Sequence, residues 1–306
     1  MKCIKINVTE ILEYLGNKIL RIDGPVKGVY IDNLADAANV KDTTLDWINP
    51  SKPNKQLIAE QSKAKVLLVD DSVSYSQVII EQYKTLIHVS NPKLTLAEIG
   101  NHFFVEKAKV GIHPTAKISQ EAIIGRNVTI GAYCVIGDAV IGDDSVIDSN
   151  VRVYDDVVIG KDCVIKAGAV LGGVGFGFEK DEQGNKFLFP QIGQLIIGDH
   201  VSIGANTCID RGSLSDTVIG DYTKISNLCQ IAHNNKIGKN VTITGCVMLS
   251  GSNVIENDVW IAPNVSLRGW VHIGKGATIG MGAVVVKDIP EGETWVGNPA
   301  HKLEKK

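Results

Sequence analysis

The fold is decided by the stretch "IGDYTKISNLCQIAHNNKIGKNVTITGCVML", Ile219 to Leu249. An aliphatic residue stands at every sixth position of this stretch, and the same spacing continues without a break to Val285. Neither the 3.6-residue period of an α-helix nor the 2.0-residue period of an ordinary strand fits it. Small residues follow the aliphatic position, which is typical of a parallel β-helix built from six-residue repeats.

The same repeat fills much of the chain before this stretch, in runs over 112–136, 141–171 and 197–209. Each hexad is expected to form a short strand and a turn, with the aliphatic side chain pointing inward. Glycine, asparagine and aspartate are expected at the corners because they tolerate positive φ. The pattern resembles the left-handed β-helix of hexapeptide-repeat acyltransferases, in which three hexads make one triangular coil. Residues three hexads apart then lie one above the other, about 4.8 Å apart.

The chain divides into three predicted parts. Residues 1–105 lack the repeat and read as a small α/β domain, beginning with a helix that Thr9 caps and Gly16 ends. The left-handed β-helix is predicted over 106–290, and a short C-terminal tail over 291–306. Two insertions interrupt the repeat, an aromatic-rich one at about 172–193 and a shorter one at 210–216. A long aromatic loop that leaves a regular solenoid is expected to cover a site.

Composition excludes several classes of protein. A net charge of −3 argues against a nucleic-acid binder held by phosphate contacts. We find no signal peptide and no run of 18 apolar residues, so we expect a cytoplasmic protein without a membrane span. The cysteines are widely spaced and read as reduced packing residues, not as a disulfide framework or zinc site: Cys3, Cys134, Cys163, Cys208, Cys229 and Cys246.

His233 is the residue that the repeat itself does not require. It follows shortly after the inward Ile231, so it should face outward at a corner, where an exposed polar residue is the ordinary interpretation. Gly251 stands three hexads further on, one coil away, and its N–H could hold an oxyanion over the same space. Asp216 lies one position short of three hexads back and could orient the imidazole. Together they suggest general-base catalysis of acyl transfer. The other histidines show no spacing suited to a metal site.

Several motifs then point to one family. "GFGF", "PQIG", "IDRG", "NLCQIAHN" and "GSNVI", in this order, resemble the UDP-3-O-acylglucosamine N-acyltransferases of lipid A biosynthesis. "LADAANVKDTTLDWINP" and "SNPKLTLAEIGNHFF" resemble the uridine-binding domain of that family. The resemblance implies that His233 is the catalytic base and Gly251 the oxyanion donor. It also implies that Trp47 and Asn49 hold the uracil.

The resemblance also implies the remaining partners of the reaction. We expect a nucleotide-linked amino sugar, most simply a UDP-sugar, as acceptor and a thioester of coenzyme A or acyl carrier protein as donor. We expect a homotrimer with sites between subunits and no metal. The same motifs suggest further substrate contacts at Phe176, Phe178, Asn227 and Gln230, and donor contacts at Trp270 and Met281.

The chain departs from the family pattern at several places. Ser51 and Lys52 stand where the family has a tyrosine after "NP", Ser226 replaces an aspartate, and Trp270 replaces a histidine. The ending "WVGNPAHKLEKK" is more like that of coenzyme-A-dependent sugar acetyltransferases.

We therefore expect an N-acyltransferase that uses a short acyl-CoA. The alternatives are the lipid A enzyme itself, using hydroxyacyl carrier protein, and a non-catalytic scaffold that binds sugar nucleotides. The sequence leaves open the length of the acyl chain, the identity of the amino sugar, which of its nitrogens is acylated, and the nucleotide base. It also leaves open whether the product enters lipid A or O-antigen synthesis.

Overall fold

The computed structural model describes residues 5–106 and 108–304. Two compact units emerge, Met1–Lys107 and Ala108–Lys306, so the boundary lies slightly beyond the predicted one. Cys3 and the end of the predicted tail, 305–306, lie outside the described residues. No helix in the described ranges is long and apolar enough to cross a membrane, and the cytoplasmic location stays a prediction.

The N-terminal unit is an α/β domain built on one four-stranded sheet. Its strands lie in the order Ile19–Asp23, Thr85–Val89, Val66–Val69 and Leu45–Trp47, antiparallel at the first pair and parallel at the others. The two central strands are wholly buried, as their largely apolar sequence requires. A short antiparallel pair, Ile6–Asn7 with Tyr30–Ile31, lies apart from this sheet. The helical segments are Val8–Leu15, Gly16–Lys18 (3₁₀), Lys55–Gln61, Gln77–Glu81, Pro92–Ile99 and Gly100–Phe104 (π).

The first helix begins earlier than predicted. Asn7, not Thr9, is the N-cap, and its side-chain oxygen accepts a hydrogen bond from the Thr9 N–H at 3.0 Å. Glu10 returns the contact by accepting from the Asn7 N–H at 3.2 Å, which completes a capping box. The helix ends at Leu15 before Gly16, as predicted.

The second unit is the parallel β-helix that the hexads predict, with three sheets whose strands succeed one another along the chain. We call the turn that follows each sheet by the number of that sheet, corners I, II and III. The strands of sheet I are Gly111–Ile112, Thr129–Ile130, Val146–Ile147, Val164–Ile165, Ser202–Ile203, Lys224–Ile225, Thr242–Ile243, Trp260–Ile261, Thr278–Ile279, Thr294–Val296 and the antiparallel His301–Lys302. The strands of sheet II are Lys117–Ile118, Val135–Ile136, Arg152–Val153, Val170–Gly173, Cys208–Asp210, Gln230–Ile231, Met248–Leu249, Ser266–Leu267 and Val284–Val285. The strands of sheet III are Ile123–Ile124, Val140–Ile141, Val157–Ile159, Leu195–Ile197, Thr217–Ile219, Lys236–Ile237, Val254–Ile255 and His272–Ile273.

The core of the β-helix consists of stacked aliphatic side chains. Ile225 pairs with Ile243 and Ile243 with Ile261, so a regular coil consists of three hexads. All three are at most 3% exposed, and they belong to one continuous apolar cluster. Ile112 in the first coil is 52% exposed because no earlier coil covers it. The six-residue spacing therefore predicts the inward positions correctly wherever coils lie on both sides.

Glycine and asparagine have different tasks at the corners. The glycine directly after the inward residue has ordinary φ, but it lies against the next coil: a Cβ on Gly220 would stand 2.5 Å from the carbonyl carbon of Gly238. Positive φ falls instead on the third corner residue, such as Asn234 at 62°. Leu228 and Trp270 also adopt positive φ there. The expectation that glycines serve the corners through positive φ was therefore wrong for most of them.

Both insertions leave from corner II. The first carries an antiparallel hairpin, Phe178–Lys180 with Lys186–Leu188, whose residues are all exposed. The second lengthens one coil, because the strand partners Ile209 and Ile231 lie further apart along the chain than Ile225 and Ile243 do. Counting in steps of three hexads therefore fails across residues 210–216, directly beside His233.

Candidate active site

His233 is the middle residue of a corner II turn. It follows Ile231, which is buried inside the coil, and precedes Asn234, whose positive φ turns the chain into sheet III. Asn235, fully buried behind the turn, donates from Nδ2 to the carbonyl oxygens of Ala232 and Ser250 at 2.7 and 3.0 Å. These bonds tie the turn to the next coil and fix the backbone that carries the imidazole.

Glycines flank the imidazole on two sides. A Cβ built on Gly251 would stand 2.8 Å from Cε1 and 3.0 Å from Nε2 of His233. A Cβ built on Gly175, in the first insertion, would stand 3.0 Å from Cβ and Cδ2 of the same histidine. Contacts this short require neighbours to shift, so side chains at these two positions would displace the ring. Gly251 therefore lies where the sequence predicts it, one coil from His233.

Asn234 determines which nitrogen of the His233 imidazole carries the proton. Its Nδ2 donates to the carbonyl oxygen of Ser215 at 2.7 Å, and its Oδ1 accepts from the N–H of Ser213 at 3.2 Å. Because a carbonyl only accepts and an amide N–H only donates, the orientation of the Asn234 amide is determined. The His233 Nδ1 lies 2.7 Å from that Oδ1 and must carry the proton. The lone pair of neutral His233 is therefore on Nε2, as a general base requires.

Asp216 is not the partner of the imidazole. Its Oδ1 accepts from the Gln194 N–H at 2.9 Å, and its carbonyl oxygen accepts from Lys236 Nζ at 2.7 Å. The orienting contact to His233 comes from the neighbouring Asn234 instead. The predicted role of Asp216 fails because its carboxylate is turned toward the preceding coil, where it caps the Gln194 N–H.

The Gly251 N–H is free to bind a ligand. At several corners, the N–H at the second turn position is capped from the next coil, as the Lys239 N–H is by Asn257 Oδ1 at 2.8 Å. The same capping occurs at Arg126, Asp138, Lys161, Asp199 and Ala205. The residue one coil beyond Gly251 is Gly269, which has no side chain, and the Gly251 N–H donates to no atom in the described part of the chain. A ligand oxygen can take the place of the missing cap.

A half-buried carboxylate, that of Asp210, is close enough to His233 for the two groups to interact electrostatically. Asp210 Oδ2 accepts from Gln230 Nε2 at 3.1 Å, and no cationic side chain of the described residues forms an ion pair with it. Burial raises the pKa of Asp210 to about 6, against the lowering effects of the Gln230 hydrogen bond and of the nearby His233. Gln230, predicted to contact substrate, thus holds Asp210 with its amide nitrogen.

A pocket of about 640 Å³ opens at His233. The first insertion supplies Phe178 and Gln191, and Trp270 forms part of the wall further along corner II. The remaining lining residues are Gly177, Glu179, Phe189, Ser213, Leu214, Ser215, Asn234, Ser252 and Val254. The aromatic insertion therefore covers the candidate base, as its composition predicts. Phe176 is not part of the lining; it is 87% exposed, and its ring packs edge-on against Phe178 at 5.0 Å.

Two predicted site residues lie elsewhere on the β-helix. Asn227 is at corner I, where its Oδ1 caps the Ala205 N–H at 2.7 Å. Met281 occupies the same turn position three coils further along corner I and is 72% exposed. A single copy of the chain does not bring either residue to the corner that carries His233.

Trp47 and Asn49 belong to the N-terminal unit. Trp47 ends the edge strand of the sheet and lines a pocket of about 420 Å³ together with Leu34 and Phe104. Asn49 Oδ1 accepts from the Ser51 N–H at 3.0 Å in a tight turn, which leaves its Nδ2 without a partner among residues 5–106 and 108–304. The tryptophan therefore has the partly open apolar setting that an aromatic stacking platform needs.

Sequence reasoning missed Asn234, Asp210, Gly175 and the two serines of the second insertion, Ser213 and Ser215. Asp210 and Gly175 stand inside motifs that were noticed, "IDRG" and "GFGF", but no spacing rule connects them to His233. The hexad predicts that Asn234 lies at a corner that needs positive φ. It does not predict that the Asn234 side chain hydrogen-bonds the imidazole of His233.

Comparison with known proteins defines the class first. The model of bacterial transferase hexapeptide (six repeats) matches residues 138–173 and 254–287, and that of the hexapeptide repeat of succinyl-transferase matches 194–226. The UDP-N-acetylglucosamine O-acyltransferase of Moraxella catarrhalis is structurally similar, with a TM-score of 0.58 and 28% identity over 63% of this chain and 73% of that one. The UDP-N-acetylglucosamine acyltransferase of Francisella novicida is also structurally similar, with a TM-score of 0.58 and 27% identity over 63% of this chain and 70% of that one. The protein is thus a hexapeptide-repeat acyltransferase.

Sequence relatives narrow the class to one family. The UDP-3-O-acylglucosamine N-acyltransferase of Coxiella burnetii (strain Dugway 5J108-111) is 34% identical, over 91% of this chain and 84% of that protein. The UDP-3-O-acylglucosamine N-acyltransferase 1 of Francisella tularensis subsp. holarctica (strain OSU18) is 36% identical, over 96% and 89%. The chain belongs to the UDP-3-O-acylglucosamine N-acyltransferase family. The alternative of a non-catalytic scaffold has no support in these relatives.

Proposed function

We propose that the protein transfers an acyl group from a thioester to the amine of a UDP-linked amino sugar, with His233 as general base. The observation that carries the proposal is the pairing of two unused groups at one corner. The Nε2 of His233 has its lone pair free, and the neighbouring Gly251 N–H has no partner in the described structure.

The reaction follows from this geometry. The sugar amine attacks the thioester carbonyl carbon while His233 Nε2 removes one of its protons. The carbonyl oxygen becomes an oxyanion, which accepts a hydrogen bond from the Gly251 N–H. When the C–S bond breaks, the proton on His233 passes to the departing thiolate, and the amide and the free thiol are released.

The acceptor we propose is a UDP-3-O-acylglucosamine, the substrate that the relatives' names give. Trp47 supports a nucleotide-linked acceptor, because its pocket offers an aromatic surface for a pyrimidine. The unpartnered Nδ2 of Asn49 supplies a donor further along the same segment.

The donor we propose carries its acyl group on phosphopantetheine, the arm that coenzyme A and acyl carrier protein share. The apolar wall beyond His233 supports a hydrophobic acyl group, since it contains Val254 and Trp270. The indole of Trp270 is 81% exposed and stands two coils beyond His233, where it limits the length of a straight acyl chain. We therefore propose a short acyl group.

We also propose that the protein acts as a homotrimer. Asn227 and Met281 share corner I, whereas His233, Gly251 and Trp270 share corner II. Packing the corner I side of one copy against corner II of the next would bring both predicted sets to one site. If every copy packs its corner I side against corner II of the next copy, three copies form a closed ring.

The test is acyl transfer by His233→Ala with a matched histidine control. We expect turnover to fall by about 10²- to 10⁴-fold, the usual effect of losing a general base. His272→Ala removes an exposed histidine that pairs with Glu256 at 2.9 Å and should leave turnover unchanged. A panel of acyl-CoA and acyl carrier protein donors of increasing length, read by mass spectrometry, separates the two carriers. Near-normal turnover in His233→Ala would refute the assignment of the base.

A further inference from the structure

We propose that Asp210 is a positioning residue whose carboxylate balances the positive charge that His233 acquires when it accepts the proton. This inference rests on the proposed function and adds a residue to it. His233 needs such a counter-charge because its hydrogen-bonded partner, the Asn234 amide, is neutral. The imidazolium forms in a pocket whose lining includes Phe178, Leu214 and Trp270, where an uncompensated charge is costly; Glu179 also contributes a carboxylate to this lining.

Asp210 is placed to supply that charge. Its strand partner across the bulge is Gly173, and the Arg211 N–H donates to the Gly173 carbonyl oxygen at 2.9 Å, so the start of the first insertion lies directly over it. Slightly later in the same insertion, Gly175 lies against the imidazole of His233. Gln230, held by Asp210 through its side chain, shortly precedes His233 in the next coil. The carboxylate and the base therefore share one covering segment.

No lysine or arginine of the described residues forms an ion pair with this carboxylate. On its own strand, the guanidinium of Arg211 is directed away, donating to the Gly193 carbonyl oxygen and to Asp156 at 2.8 Å each. Cys208 is the other titratable neighbour on that strand, and its pKa is raised first by burial and then by the charge of Asp210. In the next coil, the neighbours of Asp210 are the uncharged amide of Gln230 and the imidazole of His233. A half-buried carboxylate without a cation is costly, and in this proposal its partner forms only during the reaction.

The proton does not move to Asp210. The amine proton passes to His233 Nε2 and then to the thiolate sulfur, while Asp210 stays ionised throughout. Since the pKa of Asp210 is about 6, the carboxylate is charged at neutral pH and protonated below that value. A protonated Asp210 resembles an asparagine in shape and charge, which gives the proposal a pH signature.

The kinetic test compares the wild type with Asp210→Asn across pH 5 to 8. We expect kcat/KM of the variant to be about tenfold lower at pH 7.5 and the two enzymes to converge below about pH 5, as Asp210 becomes neutral in the wild type. Asp156→Asn, which removes the exposed carboxylate beyond Arg211, should follow the wild type at every pH. A ratio that stays constant with pH would indicate a structural role and overturn the proposal.

A second measurement does not depend on the substrate. The carboxyl ¹³C signal of Asp210, assigned as the one lost in Asp210→Asn, should titrate near pH 6 in the wild type. In His233→Gln, the midpoint should move to higher pH, because His233 favours the ionised carboxylate. Coupling is reciprocal, so this shift measures how far Asp210 favours the imidazolium. An unchanged midpoint would overturn the proposal even if the enzyme is active; a shifted midpoint without acyl transfer would leave the coupling standing and refute the function.

Discussion

The imidazole of His233 lies in a slot that leaves no space for a methyl group. Gly251 and Gly175 approach the ring so closely that each Cβ would stand 3.0 Å or less from a ring or side-chain atom of the histidine. This fit holds Nε2 in place, and it leaves the Gly251 backbone near enough to share the reacting group. The position of the His233 imidazole, the proposed base, therefore depends on the absence of two side chains as much as on the hydrogen bond from Nδ1.

Gly251→Ala should move the base without unfolding the protein. The new methyl group would press on the ring, and a displacement of about 1 Å can cost about 10²-fold in turnover. The matched control is Gly245→Ala, at the same turn position of corner I, where the nearest atom is 3.6 Å away. Steady-state kinetics with melting temperatures check both variants. Equal turnover in the two would show that Gly251 has no special contact with the base.

Asp210 also makes the fold sensitive to pH. Its pKa of about 6 in the folded protein exceeds the ordinary value of 3.8, so the folded state binds the proton more tightly. The contribution of this proton to the free energy of unfolding is fully present below pH 3.8 and is lost as the pH rises through about 6. The whole contribution is about 2–3 kcal/mol. Asp210→Asn removes the penalty, so urea unfolding should show a variant more stable than the wild type at pH 7.5, with the advantage shrinking toward pH 4.5. A constant difference would contradict a raised pKa.

At the scale of one coil, a glycine that directly follows an inward residue, such as Gly220, allows the neighbouring coil to approach closely. In Gly220→Ala, the methyl would stand 2.5 Å from the Gly238 carbonyl carbon, and backbone atoms cannot rotate away as a side chain can. We expect a loss of about 2–3 kcal/mol in the free energy of unfolding, at the upper end of the usual cost of overpacking. Gly245→Ala, whose methyl would make only ordinary contacts at 3.6 Å or more, should lose less than half as much. Urea denaturation of both variants measures the difference, and equal losses would refute the close-approach explanation.

The hexad predicts the coil well because one physical requirement repeats along it. Each inward Ile, Val or Leu must stack on its equivalent in the next coil, so the period fixes register, corners and the neighbourhood of Gly251 at once. The prediction fails at the insertions, where no such requirement acts. The coil from Ile209 to Ile231 is longer than three hexads, which puts Asp210, and not Asp216, beside the base. Side-chain hydrogen bonds such as those of Asn234 depend on loop geometry that a sequence period does not encode.

At the scale of the whole molecule, the chain combines two units with different chemistry. The β-helix contains the proposed base, the Gly251 N–H and the pocket at His233, whereas the candidate nucleotide platform belongs to the N-terminal α/β unit. In the proposed function, binding energy from the nucleotide would serve a reaction whose catalytic groups do not touch the pyrimidine. Substitutions in the first unit should then alter binding and leave the chemical step intact.

Trp47→Ala tests whether the N-terminal unit serves binding and not the chemical step. Loss of a base-stacking surface costs about 1–3 kcal/mol, so we expect KM for the UDP-sugar to rise about 5- to 150-fold while kcat changes less than threefold. Trp47 also packs partly against the core of its unit, so Trp47→Phe, which keeps an aromatic face, should recover most of the affinity. Tyr83→Ala removes an aromatic ring that is 76% exposed in the same unit, outside the pocket, and should leave KM unchanged. Calorimetry with UDP reports binding directly. If Trp47→Ala binds UDP as the wild type does, the pyrimidine does not stack on Trp47, and if kcat falls with KM unchanged, the residue supports the fold and not the nucleotide.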